Sequence, residues 1–169
     1  ETGEVVIVFN GEIYNYQELT KELQEKGHVF ANHSDTECLI HAYEEYHEKM
    51  LKKLRGMFGF AIWDSKEKTL FAARDFFGIK PFYYAEVNGN LVFASEIKAI
   101  LEYPEYKREL NEKALSHYLS FQYSAMDETF FKGIYKLNPG CCLKYKDGKL
   151  KVSRYFDPTL VPEKHQDEK

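Results

Sequence analysis

The stretch Val5-Val6-Ile7-Val8-Phe9-Asn10-Gly11-Glu12-Ile13-Tyr14-Asn15 decides how the chain is read. Five apolar residues run directly into Asn-Gly-Glu, and a helical pattern starts after Asn15. Residues 4–9 read as a strand buried on both faces. Such a strand would deliver a carboxamide, a glycine amide and a carboxylate to one edge of a sheet. Two readings of Asn10-Gly11-Glu12 compete. Asn-Gly between apolar runs is the strongest short hairpin signal. Alternatively, an Asn side-chain amide beside a Gly backbone N–H can donate two hydrogen bonds to one developing negative oxygen. Glycine suits that role because no side chain blocks a substrate's approach. The helical pattern after Asn15 weighs against the hairpin, because no second strand follows promptly.

Downstream, residues 15–26 read as a helix with Tyr16, Leu19 and Leu23 on one face and Gly27 just past its end. His28-Val29-Phe30 reads as a short extended piece. Ser34-Asp35-Thr36-Glu37 has the spacing of a capping box and opens a helix to about His47. A carboxylate held at a helix start can also face a ligand's ammonium group. From Met57 the pattern becomes a β meander, with strands at 57–64, 69–74, 82–87 and 90–94. Helices are expected near 96–102 and 111–121, the second opened by Asn111. Residues 141–146 and 149–155 read as a hairpin around Asp147-Gly148. Lys144, Lys146, Lys149 and Lys151 alternate there, as on a solvated face or a guarded sheet edge.

Arg74-Asp75 is read as an ion pair bracing the turn at Gly78. Phe93-Ala94-Ser95-Glu96 is read as a strand end followed by a helix start. The histidines are not expected to converge, since His41 and His47 are six residues apart. No Cys/His spacing suggests zinc, and no glycine-rich phosphate loop is present.

The 169 residues are the size of one domain. The 13 Phe and 13 Tyr favour a packed, sheet-rich core, and the formal charge of -4 gives no reason to expect nucleic acid or an acidic membrane as partner. No apolar run approaches the roughly 20 residues of a membrane span. The odd cysteine count, Cys38, Cys141 and Cys142, points to a reduced, cytoplasmic protein. Cys141 and Cys142 should alternate to opposite faces of a strand. The first residue is Glu1, so the chain is read as processed or as a piece of a longer one.

Taken in order, these stretches resemble a known family. Phe9 to Asn15, Ser34 to Glu37, Leu54 to Asp64, Ala73-Arg74-Asp75 with Gly78-Ile79-Lys80-Pro81, Phe93 to Glu96 and Leu137-Asn138-Pro139-Gly140 are similar to the glutamine-hydrolysing domain of glutamine-dependent asparagine synthetases, which are class II glutamine amidotransferases. The resemblance implies an α+β fold, the four-layer αββα sandwich of the N-terminal-nucleophile hydrolases, here lacking its first strands. Residues 1–157 would form the partial amidotransferase domain, and 158–169 a polar tail or linker towards a synthetase domain.

In that family an N-terminal Cys attacks the side-chain amide of glutamine, with its own α-amino group as base. By resemblance, Asn10 and Gly11 match the oxyanion-hole donors, Glu12 belongs to the same glutamine-binding strip, and Asp35 matches the carboxylate that binds the substrate's α-amino group. The nucleophile and the arginine segment for the substrate carboxylate lie upstream of the strip in the family and are not in this sequence. Cys141 and Cys142 have no free α-amino base. Thr2, as a nucleophile exposed by removal of Glu1, would lie roughly 25 Å along an extended strand from Asn10. The expectation is therefore an inactive fragment of an enzyme that supplies ammonia for ATP-dependent amidation of aspartate. This domain would need no cofactor, ATP and Mg belonging to the synthetase domain. The exposed edge left by missing strands implies self-association, such as a homodimer. A non-catalytic amide-binding or interaction module derived from the same fold is the alternative. A third reading is an amidotransferase-like protein that makes another amide or a lactam.

Overall fold

The structure, a computed structural model, describes residues 3–123 and 126–158. Among the described residues, eight strands form two antiparallel sheets. The larger contains β1 (Val5–Ile13), β2 (Gly56–Asp64), β3 (Thr69–Arg74), β7 (Cys141–Lys146) and β8 (Lys149–Arg154), in the order β1-β2-β3-β7-β8. The smaller contains β4 (Tyr83–Val87), β5 (Asn90–Ala94) and β6 (Ile134–Lys136), in the order β5-β4-β6. The helices are α1 (Tyr16–Glu25), α2 (Asp35–Tyr46), α3 (Ile97–Leu101) and α4 (Glu112–Phe121), with a 3-10 segment at His47–Lys52.

Three apolar clusters show how these elements stack. Leu19, Leu23, Leu39, Ala42 and Met50 from the first two helices and the 3-10 segment pack on Phe58, Phe60, Ile62 and Phe71 of the large sheet. The opposite face of that sheet offers Ala61, Ala72, Cys141 and Leu143 to Phe82, Phe93 and Leu137 of the small sheet and its flanks. Ala85, Val87 and Ile134, on the far side of the small sheet, meet Ile97, Ile100 and Leu101 of α3. The order is helix, sheet, sheet, helix, as expected for the αββα sandwich. The side chains of β2 and β3 explain the spacing. Large residues face the helices, while alanines at 61 and 72 face the small sheet and let the two sheets approach. Each buried Phe or Ile contributes about 1.5–3 kcal/mol of transfer free energy.

Local signals explain most boundaries. Ser34 caps α2, its Oγ accepting from Glu37 N at 3.1 Å. The Ser34 N–H donates to Asn32 Oδ1 at 2.9 Å. Glu37 accepts from Ala31 N and Asn32 N, tying the preceding loop to the helix. Asn111 caps α4 through Ala114 N at 3.2 Å. Asn15 precedes α1 without capping it. Its carboxamide bonds Lys53 O at 2.8 Å and Arg55 N at 2.9 Å, which fastens the end of β1 to the start of β2.

Several expectations need correction. Residues 4–9 are not buried on both faces. β1 is an edge strand, and Val6 and Val8 are 51% and 55% exposed because the small sheet does not extend over them. Asn10-Gly11-Glu12 is not a turn, since β1 continues through it to Ile13, in register with β2 as far as Gly56. The three-residue strand β6, at the rim of the small sheet, was not foreseen. Cys141 and Cys142 do face opposite sides, one between the sheets and the other against the helices. Lys144 and Lys146 pair with Glu48 and Glu67 beside the edge strand β8. Thr2 and the tail beyond Pro158 lie outside the described residues. Among the described residues, no helix is long and apolar enough to cross a membrane.

Candidate active site

The strip Asn10-Gly11-Glu12 occupies the last turns of pleat before β1 ends. In an antiparallel pair, alternate residues direct both backbone groups to the neighbour, and those between direct theirs away. Tyr14 N bonds Arg55 O at 2.7 Å and Ser65 N bonds Glu4 O at 2.8 Å, so even-numbered residues of β1 face β2. The odd-numbered ones, including Gly11 and Ile13, turn their N–H groups to the open edge. Ile13 N bears this out, donating away from β2 to Asp35 Oδ2 at 3.1 Å. The Gly11 N–H therefore points out of the sheet edge, one pleat before the Asp35 carboxylate.

Gly11 is required by space as well as by direction. A Cβ there would lie 2.1 Å from Met57 O, at a φ of +155° that side chains rarely adopt. Gly56 shows the reciprocal constraint across the same strand pair, where a Cβ would lie 2.1 Å from Glu12 O. Gly11, opposite Phe58, and Gly56, opposite Ile13, thus leave no room for a side chain on either strand beside the strip.

Asn10 and Glu12 share the face of β1 directed towards the small sheet, and both are exposed. The Asn10 carboxamide donates from Nδ2 to Ser95 Oγ at 3.3 Å. It borders a cavity of about 300 Å³ between the two sheets, with Phe60, Ala61, Phe82 and Phe93 inside and Asn10 and Ser95 at its rim. A larger cavity, about 730 Å³, lies on the helical side between Tyr43, His47, Glu48, Phe71 and Lys144. It touches none of the strip, whereas Asn10 lines the smaller cavity.

Behind the strip, Asn10, Gly59 and Arg74 form one row across β1, β2 and β3. Arg74 and Asp75 were expected to brace the next turn as an ion pair. Each does so separately. The Arg74 guanidinium donates to Lys80 O at 2.6 Å, Gly78 O at 2.7 Å and Leu137 O at 2.8 Å. Burial holds it below the usual arginine pKa, partly offset by Asp75. The Asp75 carboxylate, 1% exposed, accepts from the N–H groups of Phe58, Phe77, Ile79 and Lys80. Tyr155 adds a hydrogen bond to Arg74 O at 2.7 Å. This knot presses Pro81 O to 3.1 Å from where a Gly59 Cβ would stand, so the loop covers the middle of the row.

The structure thus gathers all four expected residues, Asn10, Gly11, Glu12 and Asp35, at one end of the large sheet. Ser95 is expected only as part of Phe93 to Glu96, a strand end and helix start, with no site role. Its only signal was its position directly after β5. All three cysteines are buried, and desolvation pushes each thiol's pKa up, so none has the thiolate character of a nucleophile. The histidine expectation was wrong for one pair: His28 Nδ1 and His41 Nδ1 approach to 3.2 Å.

An α+β sandwich with two stacked antiparallel sheets and helical outer layers defines the class: it is the N-terminal-nucleophile hydrolase fold of class II glutamine amidotransferases. The glutamine phosphoribosylpyrophosphate amidotransferase of Bacillus subtilis superposes with a TM-score of 0.62 at 20% identity, over 92% of this chain and 30% of that one. At that identity the likeness concerns the fold alone. In sequence, residues 1–156 match the glutamine amidotransferase domain, and the chain belongs to that family. Two glutamine-hydrolysing asparagine synthetases of Bacillus subtilis (strain 168) are similar to it. Number 3 is 42% identical over 162 residues and number 1 is 41% identical over 164, covering 95% and 96% of this chain. The chain spans 26% of the length of each.

Proposed function

We propose that this chain is the ammonia-releasing part of a glutamine-dependent asparagine synthetase, whose remainder would use ATP and Mg to amidate aspartate in the cytoplasm. The carrying observation is the outward N–H of Gly11, set between the exposed Asn10 carboxamide and the Asp35 carboxylate. When a nucleophile adds to the glutamine side-chain carbonyl, negative charge develops on its oxygen. Asn10 Nδ2 and Gly11 N supply two donors to it, with no reorganisation needed at the moment of reaction. Asn10 exchanges its bond to Ser95 for one to the oxyanion. Glu12 lines the approach, and Asp35, oriented by the N–H of Ile13, pairs with the substrate's ammonium group.

The buried cysteines support the further reading that these 169 residues do not hydrolyse glutamine alone and that the nucleophile comes from elsewhere in the protein. The open side of β1, with Val6 and Val8 exposed, supports self-association of the isolated chain. Titration of glutamine into the ¹⁵N-labelled chain tests the site. Shifts at the Gly11 and Ile13 amides, lost in Asp35→Asn, are expected, and unmoved amides would refute it. In the longer protein, Asn10→Ala should lower glutamine-dependent kcat by roughly 10²- to 10³-fold. Ammonia release by the purified 169-residue chain would overturn the inactivity reading.

A further inference from the structure

His28 and the α2 face carrying Glu37, His41, Glu44 and Glu45 meet on the side of α1 and α2 away from the strip's cavity. Gly27, at φ +96°, follows α1; the His28 N–H then closes the end of α1 on Leu23 O, and the His28 ring lies against α2. Residues 37, 41, 44 and 45 follow the spacing of one helical face. The rings of His28 and His41 meet edge to face, with centroids 5.1 Å apart, and Phe30 packs on His41.

We propose that His28 Nδ1, His41 Nδ1 and one carboxylate oxygen of Glu44 bind a single Zn²⁺ ion. The three atoms form a triangle with sides of 3.2 Å between the two nitrogens, 3.2 Å from His41 to Glu44 and 3.9 Å from His28 to Glu44. A point equidistant from the corners of that triangle lies about 2.0 Å from each, which is the zinc–nitrogen and zinc–oxygen bond length. A small outward shift of the exposed Glu44 carboxylate, with the ion a few tenths of an ångström above the plane, leaves a fourth position for water. The distance is too short for calcium, and two imidazoles with one carboxylate suit zinc better than magnesium.

The outer atoms agree. Coordination through Nδ1 places each ring's proton on Nε2. His28 Nε2 lies 3.4 Å from Glu45 Oε2, and His41 Nε2 lies 3.9 Å from Glu37 Oε1. His28 would thus direct its second N–H to the Glu45 carboxylate, the arrangement that orients metal-bound imidazoles, while the His41 Nε2 faces Glu37 at ion-pair range without a hydrogen bond. Glu37 is fixed by two loop amides and Glu45 by Lys26 at 2.8 Å. Without a cation, the three converging lone-pair centres need protons between them. A neutral His41 protonated on Nδ1 leaves its buried Nε2 without a hydrogen-bond partner. The competing arrangement is an imidazolium at His41 held between Glu37 and Glu44. The side chains of His28 and Glu44 are 17% and 41% exposed, which gives the ion a path in.

Titration of metal-free chain with ZnCl₂ against a chromophoric chelator tests this. One equivalent should bind, and Tm should rise by roughly 5–10 °C at about 100 times Kd. Glu45→Gln should weaken binding roughly 10-fold. His28→Gln and Glu44→Gln, at more exposed positions that leave the fold intact by circular dichroism, should weaken it further. Glu48→Gln should not change it. Co²⁺ in place of Zn²⁺ should give visible d–d bands without a thiolate charge-transfer band. No stoichiometric binding, equal binding by the His28 and Glu44 variants, or a thiolate band would each overturn the proposal.

Discussion

The carboxylate of Asp35, at the first turn of α2, accepts the backbone N–H of Ile13 at the end of β1 at 3.1 Å. One side chain thereby sets the position of the helix against the sheet edge and places a negative charge beside the strip. The two duties separate by substitution. Asp35→Asn keeps an acceptor for Ile13 and should change stability by less than about 1 kcal/mol, while Asp35→Ala should cost about 1–2 kcal/mol. Both should weaken glutamine binding by roughly 10- to 100-fold, the worth of one charged hydrogen bond. Urea denaturation beside glutamine titration checks the separation.

Gly11→Ala places a methyl group 2.1 Å from Met57 O and has to force β1 from β2. A loss of about 1–3 kcal/mol is expected. Gly56→Ala should do the same from the other side, against Glu12 O. Because both relieve their clash by the same strand separation, the double variant should lose less than the sum. Thermal or urea unfolding of the three variants measures this.

Arg74→Met should cost about 3–5 kcal/mol, because it strips three carbonyls of their donor in a buried loop knot. Arg74→Lys should recover only part of it, since an ammonium cannot reproduce the planar fork. Hydrogen exchange should locate the damage in residues 75–81, with α1 and α2 still protected.

Stability should fall in alkali. Burial pushes the Tyr84 pKa up from the usual 10.0 to about 12, and desolvation also raises the pKa values of Tyr43 and Tyr155. Above pH 10 the unfolded chain loses phenolic protons that the folded chain keeps. The unfolded state then binds fewer protons, so stability declines as pH rises. For Tyr84 the contribution is whole below about pH 10 and lost as pH rises through about 12. Urea midpoints from pH 8 to 12 should show this fall, and Tyr84→Phe should make it shallower.

Legibility followed the range of the interactions. The α2 start was readable because Ser34 bonds an amide three residues away. The opposite faces of Cys141 and Cys142 followed from the two-residue period of a strand. β6 was not readable, because its three residues become a strand only by pairing with β4. Asn10-Gly11 was ambiguous for the same reason. Its local signal fits a turn, and only pairing with Gly59 and Phe58 makes it strand. The His28–His41 meeting depends on how α1 and α2 pack, which no spacing along one helix reports.

By itself the sequence determined most of the helices and the longer strands, where α2 and α4 are capped, and which residue types reach the end of β1. Periodicity and capping act within a few residues, so they are written locally. The tertiary structure decided that β1 is an edge strand, that the Gly11 amide points outward, and that Asp35 sits beside it. Those outcomes depend on strand register and on docking a helix 22 residues along the chain. They are set by the geometry of packed layers and not by any local preference.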